Sequence, residues 1–192
     1  MVTVLVLILG LILFLVIAVL LYIFKTQRVL VNLDELCKNA MSQIAVQLNS
    51  RWDALLALAK MAAQYSKHES ETLINVINAR RQSTVTTAEE ARQQQGELSQ
   101  VLGRLMAIGE AYPDLKANDL YAKTMDSVNS YEENVRMSRM VYNDTATKMN
   151  RMVRMWPSSF VASLLNFREK AYLTVDEEKK SSYPNFDEAF GK

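Results

Sequence analysis

From Val2 to Phe24 the chain reads VTVLVLILGLILFLVIAVLLYIF, with no charged residue. About 20 apolar residues cross a bilayer core as a helix, and this run at ~1.5 Å per residue reaches roughly 34 Å. A secretory signal needs a basic leading region and a small-residue cleavage site. Here Met1 precedes the run directly, and Tyr22-Ile23-Phe24-Lys25 closes it with no A-x-A pattern. A lipoprotein signal would need a cysteine at the end of the run, and Cys37 lies well downstream. Residues 1–27 are therefore expected to remain as a single-pass anchor, touching the lipid bilayer through residues 2–24. Lys25, Arg28 and Lys38 follow the run and no Lys or Arg precedes it. The positive-inside rule then puts the N-terminus outside and the C-terminal domain in the cytoplasm.

Beyond the anchor the sequence predicts one domain, residues 28–173, and an irregular tail, residues 174–192. A net charge of +1 lacks the basic excess of a nucleic-acid binder. One Cys and one His leave no Cys/His-only metal site and no internal disulfide, and no cofactor is expected. Five Gly, three Pro and abundant Ala, Leu, Met, Gln, Glu, Lys and Arg, without alternating β-branched runs, make the fold class all-α.

No Pro or Gly lies between Lys25 and Gly96, so the span is expected to continue as one rod to about Ser66. Leu33, Cys37, Met41, Ile44, Leu48, Trp52, Leu55, Ala59 and Ala62 recur at three- and four-residue steps along it. A second helix is expected from about Glu69 to Ala111, with a weak or kinked spot near the β-branched Thr84-Val85-Thr86-Thr87. Tyr112-Pro113 ends it. A third helix should run from about Asp114 to Met155, and Trp156-Pro157 opens a short fourth that reaches Leu173. In the tail, Tyr183, Phe186 or Phe190 is expected to dock back. The architecture is thus an N-terminal transmembrane helix continuing into an antiparallel bundle of three long helices plus a short fourth. Each long helix has about 40 residues, roughly 60 Å.

Gln43-x-x-Val46-Gln47-Leu48-x-x-Arg51-x-Asp53, Tyr65-x-x-His68-Glu69 and Ala79-Arg80 resemble the first half of the LemA family. Tyr112-Pro113-x-Leu115-Lys116-Ala117-Asn118, Glu132, Arg139-x-x-Tyr142-Asn143, Asn150 and Trp156-Pro157 resemble its second half. The resemblance implies a bacterial, inner-membrane-anchored helical bundle with no established biochemical activity. Two departures matter. Leu56-Ala57 stands where the family usually has a Pro-Asn pair, so a helix irregularity common in relatives is absent from the pattern. Relatives with a lipobox carry the domain outside the cytoplasm, against the orientation drawn from charge.

His68-Glu69 reads as HESET, not HExxH, and suits a helix start with Glu69 near the N-terminal dipole. There is no G-x-S-x-G elbow, P-loop or dinucleotide-binding fingerprint, so an enzyme is not expected. Arg51, Glu132 and Arg139 fall at heptad spacing on apolar seams. A buried charge must be paired, so Glu132 is expected to serve both arginines in a core network, unless the long side chains snorkel to the bundle edge. Near the end of the third helix Met137, Met140, Met152 and Met155 alternate with Arg151 and Arg154. They read either as core or as a soft protein-binding surface. Three successive long helices put Met155 about 60 Å from the anchoring bilayer, which excludes lipid as its partner.

Three function classes remain: a membrane-anchored scaffold, a sensor or adaptor acting through a partner membrane protein, and an enzyme, the least supported. The short fourth helix is expected to shield only the half of the bundle far from the membrane. The near half then needs cover, from Phe186 and Phe190 or from a second copy in a homo-oligomer.

Overall fold

With no breaker between Lys25 and Gly96, α1 runs without interruption over Val2–Ala62. The computed structural model describes residues 1–80 and 85–174. Leu56 and Ala57 pass through α1 as ordinary helix, as the missing Pro-Asn pair implies. Burial begins at Thr26, two residues past the apolar run, and then follows the predicted face through Leu30, Leu33, Cys37, Ile44, Leu48, Trp52 and Leu55 to Ala62.

The predicted second helix is two helices, α2 (Lys67–Arg80) and α3 (Ala88–Ala111). The reason is a complete capping box. Thr87 Oγ1 accepts the Glu90 amide at 3.2 Å, while Glu90 Oε2 accepts the amides of Thr86 and Thr87 at 2.7 and 3.0 Å. These bonds hold the Glu90 carboxyl below its usual range, and they satisfy amides that would otherwise be orphaned at a new N-terminus. In place of the expected weak spot, of which Thr84 lies outside the described residues, the chain reverses direction between α2 and α3.

The predicted third helix is also divided. A single turn, α4 (Pro113–Lys116), precedes α5 (Asp119–Arg154), because Asn118 Oδ1 accepts the amides of Leu120 and Tyr121 and starts the helix afresh. The fourth, α6 (Ser158–Leu164), stops well short of Leu173. Asn166 sits at φ 59°, a left-handed conformation that ends a helix, and after this turn residues 167–174 run without regular secondary structure as a strap. No strand occurs among the described residues. The predicted docking of Tyr183, Phe186 or Phe190 lies outside them.

Side-chain pairs fix the directions. The Tyr65 and Tyr112 rings meet at 6.0 Å, so α1 and α3 end at the same distal tip. Trp52 Nε1 donates to Gln94 Oε1 at 3.3 Å and Arg80 pairs with Glu97 at 3.0 Å, so α3 runs parallel to α1 and α2 runs against both. Gly109 lets Tyr121 approach closely enough to donate to the Leu105 carbonyl at 3.1 Å; a Cβ at Gly109 would stand 2.8 Å from the phenol oxygen. Arg51 meets Glu132, and Met149 packs with Leu30 and Leu33. α5 therefore returns toward the apolar run, antiparallel to α1.

The extra reversal before α3 inverts the expected geometry. Met155 ends beside the part of α1 next to the apolar run, not at the far end of the bundle as expected. The half of the bundle far from the apolar run is four helices, α1, α2, α3 and α5, whereas the near half is α1, α5, α6 and the strap. The expectation that the short last helix shields the distal half is corrected accordingly.

Candidate functional site

At mid-height the bundle carries a polar layer. Arg51, on the α1 seam, is 1% exposed. Its Nη2 donates to Glu132 Oε2 at 2.7 Å, but its Nε has no partner among the described residues. Burial pushes the Arg51 guanidinium down from its usual range and Glu132 pulls it back; a guanidinium stays charged regardless. The Glu132 side chain is 49% exposed, so the pair spans the wall of the bundle, with its cation inside and its anion at the rim.

Arg139 does not join them. Its Nη1 donates to Gln95 Oε1 and its Nη2 to the Thr174 carbonyl, each at 2.9 Å. Arg139 is half-buried at the edge of the buried seam of Tyr121, Val128, Val135, Tyr142 and Met149, where α3, arriving as a separate helix, supplies its acceptor. Next to it, Asn143 accepts from the Leu173 amide and donates to the Leu173 carbonyl, both at 2.9 Å. Asn150 does the same with Lys170, at 2.7 and 2.9 Å. Tyr142 donates to the Ala171 carbonyl at 3.0 Å. One face of α5 thus behaves like a strand edge and zips the strap along itself. These residues stood in the sequence as part of a resemblance without a role. The available signal was asparagine seven residues apart inside a helix, where that residue is unfavourable without a backbone partner.

The predicted methionine–arginine surface divides. Met152 packs against the cluster of Leu30, Leu33, Met149 and Ala162. Met137 and Met140 are exposed, 52% and 60%, and adjoin exposed Val141 on the outer face of α5. Arg151, Arg154 and Met155 are exposed at the near end. Arg154 hydrogen-bonds Glu169 of the strap.

Elsewhere the chemistry is structural. Ser66 Oγ donates to Glu69 at 2.9 Å beside the start of α2, and His68 lines a shallow groove of about 410 Å³ with Thr72, Leu73 and Arg104. Cys37 is buried, and burial pushes its thiol up. Among the described residues no group of three His, Cys, Asp or Glu side chains gathers to hold a metal.

A sequence model of the LemA family matches residues 40–187, most of the chain. The chain belongs to the LemA family. The Protein LemA of Metamycoplasma hominis is 24% identical over 158 residues, covering 81% of this chain and 72% of that one. The magnetosome protein MamQ of Magnetospirillum gryphiswaldense is 32% identical over 77 residues, 40% of this chain and 28% of the relative. Two MamQ proteins of Paramagnetospirillum magneticum match to the same extent. This chain therefore aligns with well under a third of the length of its MamQ relatives. Within this LemA chain, the residues quoted for the family sort by task. Arg51 and Glu132 build the mid-height pair, Pro113, Leu115 and Asn118 build the α3–α5 corner, and Arg139, Tyr142, Asn143 and Asn150 hold the strap.

Proposed function

We propose that this LemA-family protein is a membrane-anchored, non-enzymatic helical scaffold that self-associates, with its domain on the cytoplasmic side of a bacterial inner membrane. The observation that carries this reading is α1 itself. Its most apolar window is 0% buried, and the same unbroken helix goes on to form the spine of the packed domain. A helix apolar on every side and uncovered belongs in lipid. Lys25, Arg28 and Lys38 beyond the run favour the cytoplasmic placement. Met137, Met140 and Val141, unpartnered on the outer face of α5, supply a soft contact surface for a second copy. A sensor or adaptor role through a partner membrane protein would use the same surface.

The test is crosslinking in native membranes. Single cysteines at Met137 or Met140 in a Cys37→Ala background should give a ladder of homo-oligomers, and cysteine at exposed Lys60 should not. Monomer alone at native expression would overturn self-association. A cytoplasm-specific reporter fused after Lys192 should be active; an active periplasmic reporter there would reverse the orientation.

A further inference from the structure

The corner where α5 turns into α6 holds large apolar side chains with little protein against them. Trp156 is 83% exposed and Phe160 and Leu164 are 67% each. Scattered exposed apolar residues are ordinary, but a cluster of large ones on one corner marks a contact. α6 hides Ser158, Val161 and Ala162 and so turns Phe160 and Leu164, one helical turn apart, outward together.

The register between α1 and α5 sets the height of this corner. Arg51 faces Glu132, and Leu30 and Leu33 face Met149, so each step forward on α5 is a step back on α1. Continued to Met155 and Trp156, that register arrives beside Lys25 and Thr26, the residues that follow the apolar run. α6 then packs by Ala162 against the level of Leu30 and Leu33. These heights are roughly 2–14 Å past Phe24, reaching from the headgroup layer, itself about 5–8 Å deep on each side, to just above it. Tyr22 lies at the end of the run, so an aromatic residue already marks this level. The charge is suited to an anionic surface: Lys25, Arg28, Arg151 and Arg168 carry no ion pair among the described residues.

We propose that the α5–α6 corner is a second membrane contact. Trp156 and Phe160 seat in the interfacial layer of the leaflet from which α1 emerges, with Leu164 at its outer margin, and Arg28 and Arg151 meet its anionic phosphates. The proposal rests on reading Val2–Phe24 as a span, and it makes the domain a body held at two points.

Tryptophan emission tests it in the full chain reconstituted into phosphatidylethanolamine–phosphatidylglycerol vesicles. Trp52 is fully buried and about 42 Å above the end of the run, beyond the reach of lipid quenchers. Lipid brominated near the headgroup should quench a large part of the emission, and Trp156→Phe should abolish that quenching. Phe160→Ser with Leu164→Ser should weaken it while leaving the helical circular dichroism unchanged. A parallel sample carries an environment-sensitive dye on Leu13→Cys in Cys37→Ala, read with lipid brominated near the chain ends. If the dye is quenched and Trp156 is not, the corner does not touch lipid and the proposal is overturned, while the span stands. A blue-shifted but unquenched Trp156 assigns the corner to a protein contact and overturns it equally. A dye that reports water overturns both readings.

Discussion

The two halves of the packed domain are held by different physics. In the distal half four helices surround Leu48, Trp52, Leu55, Ile77, Leu98 and Leu105, all fully buried, and apolar burial dominates. In the near half Cys37, Ala40, Met41, Ala146 and the strap's Leu173 continue the core, only a small cluster, Leu30, Leu33, Met149 and Ala162, lies below them, and the strap is tied as well by side chains bonded to backbone. The distal half should therefore behave as the thermodynamic nucleus and the near half as a fitted, separable closure. Removing a large buried side chain should unfold the first. Cutting polar ties should open the second locally.

Trp52→Ala has the largest expected effect, about 3–5 kcal/mol from the cavity and from leaving Gln94 with one partner fewer. Chemical denaturation of the detergent-solubilised chain measures it. A loss confined to the near half, seen as unchanged exchange protection in α2 and α3, would erase the distinction. Next comes Glu132→Ala, which leaves the buried Arg51 charge without its carboxylate. Truncating a fully buried pair costs several kcal/mol, but the half-exposed rim lets water take up part of the charge, so about 2 kcal/mol is expected. Glu133→Ala, next door and fully on the surface, should leave the melting point where it was.

Asn143→Ala or Asn150→Ala should each cost about 1 kcal/mol, and the loss should be local. Hydrogen exchange at Lys170 and Leu173 should rise sharply while α3 amides keep their protection. Equal loss of protection in α3 would mean that the halves unfold as one unit. The smallest effect is on pH. Burial raises the Asp34 carboxyl, but Lys170 and Lys38 outweigh it and hold the folded value below the usual one. A lowered carboxylate contributes stability above its unfolded value, near ~3.9, and loses it as pH falls through the folded value. The melting gap between wild type and Asp34→Asn should thus be flat from neutral pH to about pH 5 and close below about pH 4.

Much of this was legible from residue spacing. The apolar face of α1, the stops at Tyr112-Pro113 and Trp156-Pro157, and the Arg51–Glu132 pairing all follow from periodicity and from proline geometry. The direction of α5 did not, and it turned on a single local feature. Thr87 and Glu90 carry a capping-box spacing, yet in a segment poor in apolar residues they read as a weakness rather than as a start signal. One unread reversal flips every later helix end for end, which is why Met155 was expected at the wrong end of the molecule. Arg139 shows the same dependence at the level of one side chain. It lies at the edge of the buried face, and its partner, Gln95, could be named only once α3 was known to rise beside α1. The strap was hard to read for another reason: most of its ties run to its backbone, and only a few side chains, Glu169, Lys170 and Leu173 among them, engage the bundle.

The uninterrupted course of α1 has a mechanical consequence. Beyond Phe24 the helix continues to Ala62 with no hinge residue, a stiff arm of roughly 57 Å. If the apolar run of roughly 34 Å spans a hydrocarbon layer of about 30 Å, as proposed, leaning relieves its excess length. A lean of about 20° at the base carries the tip, where Tyr65 meets Tyr112, sideways by roughly 19 Å. The stiff arm thus amplifies a small change in lean at its base into a larger displacement at its tip, and a second hold at the α5–α6 corner would restrain it.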